Sequence, residues 1–155
     1  MLWQEGHDLN ISAGSPNAIL RLEAGILSYL GDMDRTNNPY EVGLDWMVDL
    51  DQEDDFIGKE ALREINLKGP KNKLMGAEIH GERMTVFNSE PWPVLIDGKK
   101  VGSMNALVYS PRLDKNICYT ILDIDHANSG TNIVICAPDK ELKATLVDLP
   151  WFKRS

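Results

Sequence analysis

Histidines, cysteines and closely spaced carboxylates are the residues of this chain best equipped for chemistry. His7, His80 and His126 are scattered over the chain. Each is read as an exposed or hydrogen-bonded surface histidine, because a catalytic triad needs partners at bonding distance. Cys118 and Cys136 both sit inside apolar runs, outside any metal-type spacing. That pattern predicts reduced core residues and neither a disulfide nor a zinc site. Asp49, Asp51, Glu53 and Asp55, with Glu60 twelve places into the run, imitate a calcium loop. Asp54, however, occupies the sixth place, where the loop's sharp turn calls for glycine, and the preceding residues read as a strand. The run is therefore read as a solvated acidic loop that also sets negative charge at the start of the next helix. A phosphate-cradling Gly-Lys loop, a dinucleotide fingerprint, Cys-x-x-Cys and His-Glu-x-x-His are all missing from the sequence. No catalytic residue and no metal ligand is assigned.

The elements that must carry any site fall into two groups. Ser15 as a cap, Pro16 at the first helical position, and Ile19, Leu22 and Ile26 at helical spacing predict a first helix. Val42, Leu44, Trp46, Val48 and Leu50 alternate at period two and predict a half-buried strand. From Gly58 to Leu67, Ala61, Leu62 and Ile65 share one face, with Lys59, Glu60, Arg63 and Glu64 on the wet side of a second helix. Residues 68–73 read as a linker. Beyond it come strand-length runs at 74–80, 93–97, 99–110, 117–124, 131–137 and 141–149, with hairpin turns at Asp97-Gly98 and Pro138-Asp139-Lys140. Short strands without intervening helices predict a small antiparallel barrel or sandwich. The fold class expected is α+β, and Trp46, Trp92 and Trp151 are read as core or interface anchors.

With 155 residues there is room for one ordinary domain or a small domain with an added segment. The net charge of -8 opposes nucleic acid and anionic membrane surfaces as partners. Acidity is concentrated in residues 1–68, with 14 acids against 5 Lys and Arg, whereas residues 69–155 carry 10 against 11. Glu5 and Asp8 stand where an export signal would need an apolar run, and the apolar stretches are only strand-length. A soluble, cytoplasmic chain is expected.

Four segments carry a resemblance: Leu20 to Tyr29 with Gly31 to Asp34, Asn37 to Leu44, Asp55 to Leu62, and Tyr109 to Leu113. In that order they resemble the C-terminal part of the tetrahydrofolate-dependent aminomethyltransferases, the glycine cleavage T-protein and its relatives. The segment NNPYEVGL, the linker GPKNKL and the closing DLPWF look most like the dimethylsulfoniopropionate demethylase branch. The resemblance implies that residues 1–68 are the end of the family's folate-binding portion and residues 69–155 its C-terminal β-barrel. It further implies tetrahydrofolate as cofactor, a small one-carbon donor as substrate, and methyl or aminomethyl transfer by positioning and electrostatics. Members of the family are more than twice this length, and their principal folate-contacting acids lie upstream of the matched part. The chain is thus expected to be an inactive fragment by itself, needing the N-terminal portion or associating with itself through residues 1–68. A non-catalytic barrel module that mediates protein association is the alternative.

Residue by residue, the resemblance marks Arg21, Glu23, Tyr29, Asp32 and Glu41 as folate-binding candidates. Family T-proteins hold the folate's carboxylate tail with an arginine four places before Arg21, where this chain has Asn17, and a neutral amide cannot form that charge-assisted clamp. Each candidate also has a structural role open to it: Arg21 and Glu23 as exposed helix residues, Tyr29 in packing, Asp32 in a turn, Glu41 as a surface acid.

Overall fold

Alternating inward-facing side chains dictate the main architecture, seen in a computed structural model that describes residues 17–85, 88 and 90–152. Six strands, β1 (Asn72–Ile79), β2 (Trp92–Ile96), β3 (Lys99–Ser110), β4 (Lys115–Asp123), β5 (Asn132–Cys136) and β6 (Glu141–Val147), close into a barrel. The order around it is β1-β4-β3-β2-β5-β6, and every neighbouring pair is antiparallel. Closure leaves no unpaired sheet edge. The barrel expected from the strand-length runs is present, and the predicted strands agree with the observed ones to within about two residues at each end.

Two hairpins fix the register. At Asp97 and Gly98 both residues have positive φ, 50° and 77°, the signature of the tight turn that suits twisted strands. The β5–β6 turn closes with Ala137 N–H donating to the Lys140 carbonyl at 2.9 Å. Gly102 is demanded by contact: a Cβ there would lie 2.1 Å from the Ile121 carbonyl oxygen on β4. The pairing of β3 with β4 slips between Met104 and Ala106, which leaves Asn105 as an extra residue.

The two faces of the barrel wall carry separate cores. Met75, Ala77, Val94, Met104, Leu107, Cys118, Leu122, Ile135 and Leu146 belong to the inner one, with Trp92 as its aromatic member. Burial pushes the Cys118 thiol well above its ordinary pKa, so it stays protonated. Cys136, also free, is only half-buried. Residues of opposite strand parity, Leu74, Val108, Ile117 and Tyr119, form the second core with Leu22, Ile19, Leu27, Leu149 and Trp151. This outer core is where residues 17–34 lie against the barrel.

Residues before β1 depart from the sequence expectation in several places. Helix α1 spans Ala18–Glu23, and its cap is Asn17, whose side-chain oxygen accepts from the N–H groups of Ile19 and Leu20 at 3.0 and 3.1 Å. Ser15, Pro16 and His7 lie outside the described residues. Helix α1 stops before Ile26, which is 55% exposed. No strand forms over 42–50: Leu44 N–H turns back to the Pro39 carbonyl, and Asp45–Met47 is a single 3-10 turn. The period-two alternation is broken because local turn bonds outcompete a ladder with no partner strand. Trp46 is consequently 76% exposed and is not a core anchor in the described fold.

Helix α2 spans Lys59–Lys68, as expected. Lys59 is buried rather than on the wet face, with Nζ donating to the carbonyls of Gln52 at 2.7 Å and Asp54 at 3.1 Å. The acidic loop thus wraps the lysine with its backbone. Asp49 uses its carboxylate locally, accepting from the N–H groups of Asp51 and Gln52. Among the described residues no helix is long and apolar enough to cross a membrane, and no cluster of three potential metal ligands is present.

Candidate functional site

The five residues marked by the sequence resemblance all lie in residues 17–41, on the arm that precedes the barrel, and the structure shows what each touches. Arg21, in the last turn of α1, reaches Asp32: Nη1 lies 2.5 Å from Oδ2. The same carboxylate accepts Ser28 N–H at 2.6 Å, and Arg21 also donates to the Ile26 carbonyl at 3.3 Å. Asp32 is only 2% exposed, whereas the Arg21 side chain keeps 27% of its surface. The ion pair therefore ties the end of α1 to the loop at 28–32, with the cation toward solvent. Burial of the carboxylate is tolerated because the guanidinium and an amide both face it.

Glu23 is not an exposed helix residue. It is 2% exposed and faces the β3–β4 turn, where Ser110 Oγ donates to Oε1 at 2.6 Å and Arg112 Nη1 lies 3.3 Å from Oε2. Arg112 in turn stacks over Phe152, with Cζ 4.0 Å from the ring centroid. Glu41 is not a surface acid either. Its carboxylate accepts Asn38 N–H at 3.3 Å and the Asn72 side-chain amide at 3.1 Å, while its carbonyl accepts Leu74 N–H at 2.7 Å. These contacts anchor the turn at 38–41 to the first strand. Tyr29 is the exception: it does not pack but stands 54% exposed, its backbone bridged to Met33.

Residues that the sequence reading did not single out complete the junction. Tyr119 on β4 is fully buried, and its hydroxyl lies 3.2 Å from the carbonyls of Arg21 and Leu22 and 3.3 Å from that of Ile26. It adds a donor at the carbonyl end of α1, where the Arg21 and Leu22 carbonyls also accept the N–H groups of Ile26 and Gly25 at 2.8 and 3.0 Å. Burial, reinforced by the Asp32 carboxylate and opposed by Arg21, raises its pKa well above the usual phenol value. Trp151 stacks on Tyr119 with centroids 6.1 Å apart. Asn105, released by the bulge, donates to the Asp32 carbonyl at 3.0 Å. Ser110 and Arg112 stood inside the YSPRL motif and were legible as motif members, but Tyr119 and Asn105 are recognisable only once the arm is seen against the barrel.

The histidines follow expectation where described. His80 is exposed and shares a 2.9 Å hydrogen bond with Thr145 Oγ1, and His126 is exposed.

With this geometry in view, comparison with known proteins is decisive for the family. Residues 72–153 match the glycine cleavage T-protein C-terminal barrel domain. The chain belongs to the glycine cleavage T-protein family. T-protein relatives extend the match into the arm: a dimethylsulfoniopropionate demethylase of Ruegeria pomeroyi is 37% identical over 97% of this chain and 40% of its own length. An aminomethyltransferase of Thermotoga neapolitana is 35% identical over 88% of this chain and 36% of its own. The T-protein fold is matched in the crystal structure of glycine cleavage system aminomethyltransferase T from Bartonella henselae, with a TM-score of 0.77 at 20% identity, covering 87% of this chain and 37% of that one. This chain thus spans roughly two fifths of the length of the curated relatives it matches.

Proposed function

We propose that the chain serves as the C-terminal part of a tetrahydrofolate-dependent one-carbon transferase, in which residues 1–68 are the end of the folate-binding portion and residues 69–155 its barrel. The observation that carries this reading is the distribution of exposed apolar side chains. Leu20, Ile26, Tyr29, Leu30, Trp46, Met47, Ile57 and Leu67 all lie between residues 17 and 68, while the barrel contributes only Ile124 among the described residues. A surface so unevenly apolar fits a segment that is covered by more protein, and the relatives have three fifths more of their length with which to cover it.

Tetrahydrofolate, when bound, supplies the nitrogen that accepts the one-carbon unit. This chain would contribute Arg21 and Tyr29, the two candidates with open side-chain surface, to orient its anionic tail and aromatic body. Glu23, Asp32 and Glu41 would act through the backbone they hold, since their carboxylates are already engaged by protein donors. The donor would be a methyl or aminomethyl compound, with the match to the demethylase over nearly all of this chain favouring methyl transfer from a sulfonium. Tetrahydrofolate and a small one-carbon donor are then the ligands, in a cytoplasmic setting, and the isolated chain would turn over neither.

Calorimetric titration of the chain with tetrahydrofolate tests the proposal. Binding that is lost in Arg21→Ala and weakened in Tyr29→Ala, with the barrel's thermal transition retained, is the expected result. No heat at millimolar ligand would leave the chain as a barrel module for protein association.

A further inference from the structure

A cavity of about 330 Å³ opens at the barrel mouth and is lined by Glu78, His80, Arg83, Tyr109, Asp114 and Lys115 among others. Tyr109 and Asn116 have the inward parity of Leu107 and Cys118, whereas Glu78 and Lys115 have the outward parity of Leu74 and Ile117, so the cavity sits on the barrel rim, and none of its lining residues belongs to residues 17–41. It does not depend on the function proposed above. Its loop is built rather than draped. Asn116, 2% exposed, accepts Met84 N–H at 2.8 Å through Oδ1 and donates to the Glu82 carbonyl at 2.9 Å through Nδ2. That double clasp sets Arg83 over Tyr109, with Cζ 4.6 Å from the ring centroid.

The charges of the lining divide into one closed pair and two open groups. Lys115 Nζ lies 2.6 Å from Glu78 Oε2, so those two neutralise each other. Arg83 makes no ion pair or side-chain hydrogen bond among the described residues, and stacking on an aromatic ring leaves guanidinium N–H groups available. Asp114 accepts a hydrogen bond from the Tyr109 hydroxyl and has no cationic partner among the described residues. The Tyr109 ring thus carries a guanidinium on its face and a carboxylate at its hydroxyl end. A simple anion would meet Arg83 but be repelled by Asp114, and a simple cation would meet the reverse. Only a ligand with both charges separated by a few bonds satisfies the two together.

We propose that the barrel mouth is a binding site for a small zwitterion, its carboxylate on Arg83 and its cationic group on Asp114. A molecule with a carboxylate and an ammonium on a short carbon chain has the right charge pattern, and mouths of β-barrels are recurrent ligand positions.

The test is titration of the full chain, by calorimetry and by amide chemical shifts, with β-alanine, propionate, propylamine and inorganic phosphate as separate probes. β-Alanine is expected to bind at least about tenfold more tightly than either half-molecule or phosphate, because it alone makes both charge contacts at once. Shifts should centre on Gly81, Tyr109 and Asn116. Arg83→Gln and Asp114→Asn should each weaken β-alanine by about tenfold while leaving propionate or propylamine, respectively, no worse at Asp114→Asn or Arg83→Gln. Asparagine tolerates the left-handed backbone of Asp114, whose φ is 53°, and Arg83 is exposed, so both variants should keep the far-UV spectrum of the parent. Equal binding of propionate, phosphate and β-alanine, no shift with β-alanine at millimolar concentration, or full affinity in either variant would overturn the proposal.

Discussion

The arm and the barrel solve the problem of burying apolar surface in opposite ways. In the barrel, neighbouring strands supply both hydrogen bonds and a closed interior, so Val94, Met104, Leu122, Ile135 and Leu146 disappear completely from solvent. In residues 17–68 only Leu22 and Val42 are buried hydrophobics, while Trp46, Leu30 and Ile57 stand in the open. The arm is tied down by Leu22 in the outer core together with polar contacts: Arg21 with Asp32, Glu23 with Ser110 and Arg112, and the Tyr119 hydroxyl beneath the end of α1. The comparison shows a closed barrel carrying a segment whose large apolar side chains mostly stand exposed.

Disrupting the barrel should have the largest effect. Gly102→Val would drive a side chain into the Ile121 carbonyl and the Leu122 backbone, and loss of more than about 3 kcal/mol or of folding altogether is expected. A urea midpoint close to that of the parent would sink the claim of close approach. Leu22→Ala attacks the seam, where a fully buried leucine is removed at a cost of about 2–4 kcal/mol. Hydrogen exchange should then quicken over residues 18–34 more than in β1 and β4. Uniform acceleration of both regions would show that arm and barrel unfold as one body.

Alkaline pH offers a smaller, graded probe of both cores. The pKa values of Cys118, inside the barrel, and Tyr119, at the seam, are raised chiefly by burial. For groups held protonated in the fold, the unfolded chain loses its protons first, so their contribution to stability is complete below the unfolded pKa and drains away as pH rises. Urea midpoints should therefore fall above about pH 8.5, the ordinary thiol value, before Tyr119 begins to contribute near pH 10. A thiol reagent that modifies Cys118 as fast in native as in unfolded protein would contradict the burial argument. At the bottom of the scale, Trp46→Ala should change the stability of this chain by no more than about 0.5 kcal/mol, since the ring is mostly in solvent. Trp92→Ala, in the inner core, should cost about 3–5 kcal/mol in the same denaturation assay.

Sequence alone determined the barrel strands, both hairpins, helix α2 and the acidic imbalance of the N-terminal half. Those features are local: alternation at period two, a two-residue turn that needs positive φ, and amphipathic spacing are written in adjacent residues. The motifs also sufficed to place the chain in its family. Tertiary structure alone decided the fate of 42–50, whose alternating residues never met a partner strand and folded into turns. It also decided the roles of Glu23 and Glu41, which look like surface acids until Ser110 and Asn72 arrive from distant strands to bond them. Lys59 reads as a wet-face charge because helical spacing says nothing about a loop folding back over it. Short-range geometry follows from neighbouring residues, but a charge can be buried only when partners remote in sequence converge to replace its water.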